Sequence, residues 1–515
     1  MNNTVHIEKL DETFIKVFCD EEFANTLVDR FTFEVEGARF HPKVKQRLWD
    51  GKIRLFNKRT KTIYRGLLSK IISMCNDFGY DYELDNNIKT LSDENLDFLD
   101  EFLDSLKIAS KNKPIELRKY QKNAIINAIT NVRGVFISPT ASGKSAIIYS
   151  IVMYMTKVLG LKGLIIVPST TLVEQMRSDF IDYSGMNPEL DLDSDTHIIY
   201  SGKDKSTDKP ITISTWQSLF RLKPEFFEKY DFIVGDECHK FKAEHLRSIT
   251  EKCINATYRF GFTGTLDGSP TNKMVLEGLF GNVNIVTSYS EMMENHQIPD
   301  VIIKCLILKH SEYPAYRKQH LKERREKNLG EEDGKSKYQS EIEFIVNNET
   351  RNKFITKIAT SQKNNILILV SRIDHANALY DMISNHPKME GRKTFLMIGS
   401  TATGKRETMR NDMEYESNAV LIGTYGVLST GVNIKNIHSV VFASPSGKSR
   451  VNALQSLGRA LRLHESKTKV VLYDIADDLR VGKTNSNNYV LNHLTDRIKI
   501  YSSEKLDYEL LNLEI

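Results

Sequence analysis

Short apolar runs alternate with longer stretches of helical spacing along most of the chain, and the alternation occurs in two matched series. Between Ile115 and about Ser290 the runs are Val135–Ile137, Leu164–Val167, Thr212–Ser214, Phe232–Val234 and Arg259–Phe262. In the second half they are Ile366–Val370, Phe395–Ile398, Val420–Gly423, Val440–Ala443 and Val470–Tyr473. Strands separated by helical patterns predict a parallel sheet covered by helices. The expected fold class is therefore α/β, with two parallel-sheet lobes in tandem.

The ends and the middle of the chain depart from this rhythm. Residues 1–108 read as a small α/β domain in which Arg54-Leu55-Phe56, a polar turn over Asn57–Lys61 and Ile63-Tyr64 predict a basic hairpin. An acidic amphipathic helix follows, opened by Ser92 as N-cap, with Leu96, Leu99, Phe102, Leu103 and Leu106 on its apolar face. Ala109–Pro114 reads as a linker. Tyr313–Ser340 is highly charged without an apolar period and is expected to be a helical or mobile insertion. After a polar stretch at Lys483–Asn488, a final helix is predicted through Tyr489, Leu491, Leu494, Ile498 and Tyr501. The expected domains are an amino-terminal domain at 1–108, a first lobe at 115–290 and a second lobe at 291–515 carrying the insertion and the last helix.

Composition narrows the class. A chain of 515 residues suits about three domains. Its 40% hydrophobic and 27% charged content are those of an ordinary globular protein, and no apolar stretch approaches the roughly 20 residues of a membrane span. The polar start Met-Asn-Asn-Thr lacks a secretion signal, so a cytoplasmic location without membrane association is expected. Five scattered cysteines, with no Cys-x-x-Cys pair, indicate neither a disulfide framework nor a zinc site. A net charge of +4 is mild, but its distribution is uneven. Eleven basic residues fall between Gly37 and Lys70 against the single acid Asp50, interleaved with Phe40, Trp49, Phe56 and Tyr64.

The chemistry concentrates after the apolar run Val135–Ile137. Ser138-Pro139-Thr140-Ala141-Ser142-Gly143-Lys144-Ser145 has the layout of a loop whose backbone N–H groups cradle nucleotide phosphates at a helix N-terminus, which excludes bulk around Gly143. Lys144 would reach the β/γ oxygens and Ser145 would place a hydroxyl on Mg²⁺. At the end of a second buried strand, Asp236 can hold the same metal through water, Glu237 can polarise the attacking water, and His239 can report on the nucleotide state. Together these describe an ATPase using ATP and Mg²⁺. The loop departs from the full pattern in having Ser138 where the first glycine usually stands. A decoy, Gly399–Lys405, has the spacing but continues with Arg406, which removes the metal hydroxyl. Gly447-Lys448-Ser449 reads as a polar loop.

The ordered set Tyr120-Gln121, Thr140–Ser145, Val167-Pro168, Thr215-Trp216-Gln217, Asp236–His239, Thr263-Gly264-Thr265, Ser371-Arg372, Ser429-Thr430-Gly431 and Gln455–Arg462 resembles the superfamily 2 helicases over residues 115 to about 475. The resemblance implies two RecA-like lobes that close on ATP and step along one strand. It implies that Gln121 reads the adenine, with Pro139, Thr140, Ala141, Ser142 and Gly143 forming the phosphate loop. Arg459 and Arg462 resemble arginine fingers, which make phosphoryl transfer depend on lobe closure. Thr263 and Thr265 resemble the link between hydrolysis and strand movement. Thr170, Thr215, Arg372, Thr424 and Thr430 fall where family members grip the sugar-phosphate backbone, a contact that positions without reading bases. For any single one of these threonines, helix capping is an equal reading.

A narrower resemblance covers the ends. Phe40-His-Pro, Arg47–Leu55, Phe78-Gly79-Tyr80, Tyr338–Ile345 and Arg351-Asn352-Lys353 are similar to the recombination helicases of tailed phages. It implies action on branched DNA (forks, Holliday junctions, D-loops or R-loops) in recombination, repair and replication control. It also implies a monomeric motor in the cytoplasm of a bacterial host, with duplex or single-stranded DNA, and RNA within R-loops, as partners. On this reading the basic amino-terminal domain feeds duplex to the motor, with Lys52, Arg54, Lys58, Arg59 and Lys61 contacting phosphates and most of the aromatics forming core. The alternatives are an RNA helicase, a restriction-type translocase lacking its nuclease, and a non-catalytic nucleic-acid-binding or annealing protein. Lys144, Asp236, Glu237, Arg459 and Arg462, retained together, argue against the last.

Overall fold

The computed structural model describes residues 4–515 apart from 36, 39–41, 89–93, 188, 242, 267–268, 331, 429–433, 446–457, 459–460, 462 and 482–487, and apart from the side chains of 94–97 and 403. The chain divides into two compact units, Met1–Pro139 with Gly143–Thr287, and Ser288–Ile515 with Thr140–Ser142.

The first unit contains two sheets and two short ribbons. Its amino-terminal sheet runs in the order β5-β2-β1-β6, from β1 (Thr4–Lys9), β2 (Phe14–Phe18), β5 (Thr62–Tyr64) and β6 (Asp81–Leu84). Alternation in β1 and β2 buries Val5, Ile7, Ile15 and Val17 on one face. The expected hairpin between Arg54 and Tyr64 is closed by a single antiparallel bridge, Asn57 with Thr62, and does not extend into a ladder. Instead β4 (Lys52–Arg54) pairs with β3 (Thr32–Glu34), and β5 pairs with β2. Each half finds a longer-range partner while buried Leu55 and Phe56 turn the chain inward between them. The expected linker at Ala109–Pro114 is also corrected. β7 (Ile108–Ser110) and β8 (Lys113–Ile115) form an antiparallel hairpin around Lys111 and Asn112, both in the left-handed region with φ of 52° and 57°. A two-residue turn of this kind suits hairpin twist and shares its polar composition with linkers.

The larger sheet is parallel, with the order β11-β12-β10-β13-β14-β9-β15. Its strands are β9 (Arg133–Ile137), β10 (Gly163–Val167), β11 (Thr196–Ile199), β12 (Ile211–Thr215), β13 (Phe232–Asp236), β14 (Tyr258–Thr263) and β15 (Val283–Ile285). The five strands expected from the apolar runs are all present; β11 and β15, at the edges, were not among them. β10, β12 and β13 are buried at every position, as strands covered by helices on both faces must be.

The amino-terminal sheet and the larger sheet share one hydrophobic core, in which Val5, Ile15, Phe31 and Ile63 pack with Ile233, Leu276 and Phe280. The contact is tight at Gly66, where a Cβ would lie 2.2 Å from the Glu277 carbonyl oxygen and 2.5 Å from that of Gly278. Beside it lies a buried ionic cluster. Glu12 accepts from Lys9 at 2.5 Å, from Arg133 at 2.8 Å and from Arg65. Arg259, fully buried, donates to the Thr13 hydroxyl at 2.8 Å and to the backbone carbonyls of Thr250, Cys253 and Ala256. Arg133 opens β9 and Arg259 lies beside it in register on β14.

The second unit repeats the parallel architecture in the order β18-β19-β17-β20-β21-β16-β22. Its strands are β16 (Asp300–Lys309), β17 (Ile366–Val370), β18 (Thr394–Met397), β19 (Val420–Thr424), β20 (Ser439–Phe442), β21 (Lys469–Asp478) and β22 (Tyr508–Glu514). Two buried ion pairs fasten helices to β21: Arg351 to Asp477 at 2.7 Å, and Arg497 to Asp474 at 2.7 Å, with the Tyr501 hydroxyl donating to Asp474 at 2.8 Å. The charged insertion is helical. Tyr313–Glu326 and Gly334–Asn347 form two helices with their own small core of Tyr313, Phe344, Ile345 and Val490. The last helix, Tyr489–Ser503, lies where the sequence places it.

Candidate active site

β9 delivers the chain into the loop Ser138–Gly143, and the helix Lys144–Met153 begins directly after it. Two loop residues take left-handed conformations, Ala141 with φ 73° and Gly143 with φ 80°. A side chain at Gly143 would be strained by its backbone and would bring a Cβ to 2.3 Å from Nε2 of Gln121. Gln121 is itself buried, its Oε1 accepting from the Arg118 backbone N–H at 2.7 Å, so its amide is held against the loop. Ser138, where a first glycine is usual, is 1% exposed, and its N–H donates to the Thr263 carbonyl at 2.8 Å. The loop is thereby tied to the end of β14.

Lys144 projects from the first turn of its helix toward the end of β13. Its Nζ lies 2.5 Å from Asp236 Oδ1 and 3.1 Å from Glu237 Oε1. Burial works against the ammonium charge, but the two carboxylates overcome it and hold Lys144 above its ordinary range. For Glu237 burial again opposes the charge, and Lys144 together with His239 holds the carboxyl below the usual carboxylate range. Glu237 sits in the left-handed region with φ 51°, an uncommon conformation for a non-glycine residue, and turns the chain into the short helix Cys238–Lys240. His239 Nδ1 lies 3.3 Å from Glu237 Oε2 and 2.9 Å from Thr263 Oγ1. Ser145 Oγ lies 2.8 Å from the Tyr183 hydroxyl, a contact that no pattern in the sequence indicated. Ser138, Gly143 and Lys144, the acidic strand end and the Thr263 turn thus converge within the first unit.

The decoy loop is built differently. β18 is an edge strand bonded only to β19, and Arg406 donates to the Gly399 carbonyl at 2.7 Å, closing the loop on itself. Gly447-Lys448-Ser449 lies outside the described residues.

The expected nucleic-acid contacts are dispersed. Arg54 pairs with Asp50, and Lys58 pairs with Glu21 while also donating to Asn25 at 2.8 Å. Arg59 is exposed. Thr170 is exposed at the start of the helix Thr170–Ser184, where Ser169 is the cap. Thr215 is only 4% exposed and its hydroxyl contacts Ser218 Oγ at 3.1 Å, so in this conformation it serves the local helix start. Arg372 precedes the helix Ile373–Ser384 with Asp374 4.0 Å away, and Thr424 closes β19. Thr430, Arg459 and Arg462 lie outside the described residues. Trp49 donates from its ring nitrogen to the Lys52 carbonyl at 2.9 Å, and Phe56 is core. No described helix is long and apolar enough to cross a membrane.

Comparison with known proteins agrees with this geometry. Residues 4–85 match the family described as DNA helicase UvsW, N-terminal; residues 114–268 match type III restriction enzyme, res subunit; residues 349–464 match the helicase conserved C-terminal domain. The chain is 32% identical to the ATP-dependent DNA helicase uvsW of Enterobacteria phage T4, over all of both proteins. It is 31% identical to the DNA 3'-5' translocase XPB2 of Sulfurisphaera tokodaii over 32% of this chain and 34% of that one. A crystal structure of T4 UvsW superposes with a TM-score of 0.51 at 29% identity, covering 99% of each chain. The DNA-bound restriction-modification enzyme LlaBIII shares the fold, with a TM-score of 0.55 at 16% identity over 78% of this chain and 32% of that one. With a nucleotide loop facing paired acids in one parallel sheet, a second such sheet after it, and full-length likeness to a phage helicase, the chain belongs to the UvsW family of superfamily 2 ATP-dependent DNA helicases.

Proposed function

We propose that the protein works as a monomer that hydrolyses ATP with Mg²⁺ to translocate on and remodel branched DNA, including forks, Holliday junctions, D-loops and R-loops. The observation that carries the catalytic part is the convergence of Lys144 on Asp236 and Glu237 at 2.5 and 3.1 Å, with His239 relayed to Thr263. The residues fit a magnesium nucleotide. The loop excludes a Cβ at Gly143, as a phosphate cradle requires, and Lys144, Ser145 and Asp236 supply one cation, one hydroxyl and one carboxylate. Among the described residues no group of three or more His, Cys, Asp or Glu could hold a metal alone. That suits a cation coordinated largely by water and phosphate oxygens. When bound, Mg²⁺ neutralises charge developing on the phosphate oxygens.

The chain's own groups do the rest. Lys144, positively charged throughout the neutral range, offers its ammonium to the phosphates in place of its two carboxylate partners. Glu237, held ionised, orients and polarises the attacking water. Thr263 receives the state of that carboxylate through His239. Arg459 and Arg462 are assigned to the transition-state charge, and Arg372, Thr424 and Thr430 to the strand.

Branched-DNA specificity rests on the family and on the basic amino-terminal region, which is built into the same unit as Lys144, Asp236 and Glu237. The test is phosphate release measured with single-stranded, duplex, forked and four-way DNA and with RNA. Strongest stimulation by forked or four-way DNA is expected. Equal stimulation by RNA would favour an RNA helicase, and none by any nucleic acid would overturn the proposal.

A further inference from the structure

We infer that the helix Tyr313–Glu326 is a second, sequence-independent grip on the nucleic-acid backbone, made by a row of Lys318, Lys322 and Arg325. The inference deepens the DNA-helicase assignment and rests on it. The row follows from helix geometry. At about 100° per residue the three side chains fall within roughly 60° of one another, at positions i, i+4 and i+7. All three are exposed. The opposite side is where the helix is held: Tyr313 is buried, the Tyr316 ring lies 4.9 Å from that of Phe344, and Arg317 clamps Glu332 with both terminal nitrogens. His320 adds a contact to Glu332 at 3.5 Å. The brace uses Arg317 and His320 and leaves the outward row alone.

That row is poorly neutralised. Lys318 and Arg325 have no partner among the described residues, and Lys322 has only an exposed approach to Glu326 at 3.8 Å. Such a pair contributes little in water. With a rise of about 1.5 Å per residue, the row spans roughly 10 Å, the scale of a few successive phosphates on a strand. A solvated helix face ordinarily intersperses both signs; here the acids Glu323 and Glu326 fall to one side of the row. A helix presenting poorly neutralised cations in a row is suited to a polyanion of regular spacing, and contacts of ammonium and guanidinium groups with phosphates position a strand without reading its bases.

The test replaces Lys318, Lys322 and Arg325 together with alanine in the full chain and measures DNA affinity against salt, for single-stranded and duplex DNA separately. A variant with Lys357→Ala, Lys363→Ala and Lys388→Ala, exposed lysines of the same unit, removes equal charge elsewhere. The row variant is expected to lower the slope of log affinity against log salt by about 2 to 3 on at least one DNA form, since each lost phosphate contact removes about 0.7 to 0.9. The charge-matched variant should leave it near wild type. Unchanged melting temperatures in both variants will show that the fold is intact. Equal effects of the two variants, or no effect of the first, would overturn the inference. Failure of the wild-type protein to bind DNA would instead sink the helicase reading beneath it.

Discussion

The imidazole of His239 donates to the hydroxyl oxygen of Thr263. Their atoms are 2.9 Å apart, and the Thr263 hydroxyl hydrogen is directed to the Thr265 carbonyl at 2.9 Å, which leaves His239 Nδ1–H as the donor. The same nitrogen lies 3.3 Å from Glu237 Oε2, so one N–H is shared between the Glu237 carboxylate and the turn that ends β14. Thr263→Val preserves shape and removes the acceptor. Hydrolysis in that variant should stay within about tenfold of wild type, the scale of one hydrogen bond of about 1 kcal/mol, while base pairs opened per ATP fall further. Parallel loss of unwinding and hydrolysis would show that the contact serves only the chemistry.

Lys144→Ala and Glu237→Gln should both reduce phosphate release to background, but they should differ in stability. Removing Lys144 strands two carboxylates beside each other in a buried site, whereas Glu237→Gln removes charge from it. Loss of a partner to a buried charged group costs on the order of 1–3 kcal/mol or more. Thermal melting at neutral pH should therefore show Lys144→Ala well below Glu237→Gln, and the reverse order would contradict the geometry at Asp236 and Glu237.

Gly66→Ala probes the union of the amino-terminal sheet with the larger one. A methyl group 2.2 Å from a backbone carbonyl must push the two apart, because neither Glu277 nor Gly278 can rotate its carbonyl away within its helix. Overpacking of this kind costs about 1–3 kcal/mol. The expected outcome is a lower melting temperature for the first unit, with its two sheets lost together. Loss of the amino-terminal sheet, followed by hydrogen exchange, at a lower temperature than the larger sheet of the same unit would show that the amino-terminal region unfolds by itself.

The parallel architecture was legible because buried strands are apolar at successive positions, as at Leu164–Val167 and Ile366–Val370. β15 and β22 were not, because edge strands are only partly covered: Ile285 is 74% exposed, and β22 reads as mixed polar and apolar. The hairpin of β7 and β8 was mistaken for a linker because Lys111 and Asn112 carry the same polarity in either role. Among the candidate site residues, Lys144, Asp236, Glu237 and His239, which the structure brings together, stand in motifs of fixed residue type and spacing that a sequence displays directly. The contacts of Tyr183 with Ser145, and of Glu12 with Arg65 and Arg133, join positions far apart in the chain and leave no periodic trace.

Of Arg54, Lys58 and Arg59 in the amino-terminal region, Arg59 should matter most. Arg54 and Lys58 are partly neutralised by Asp50 and Glu21, whereas the Arg59 side chain is exposed with no partner among the described residues. Arg59→Ala should reduce the salt slope of duplex binding by about 0.9, one phosphate contact. Single alanine variants at Arg54 and Lys58 should each have a smaller effect. Salt titrations in which the three are equal would place the grip elsewhere.

Glu341 predicts a pH dependence in the second unit. It is 1% exposed and burial pushes its carboxyl up to about 7, although the Val490 backbone N–H donates to Oε2 at 3.1 Å. Because the folded value is raised above the ordinary 4.5, the folded state holds the proton longer than the unfolded chain. Its contribution is full below the unfolded value and is lost as pH rises toward 7. Glu341→Gln should therefore raise stability at pH 8 by on the order of 1–3 kcal/mol and do little at pH 4.5. Melting curves at the two pH values check this, and a variant that destabilises equally at both would refute it.

The turn between β1 and β2 bears on the two inner strands that lead to the ATP loop and to Thr263, through Glu12 on Arg133 and Thr13 on Arg259. A displacement of the amino-terminal sheet would thus be delivered straight into these two strands. Those two side-chain contacts make the position of the turn a direct constraint on β9 and β14.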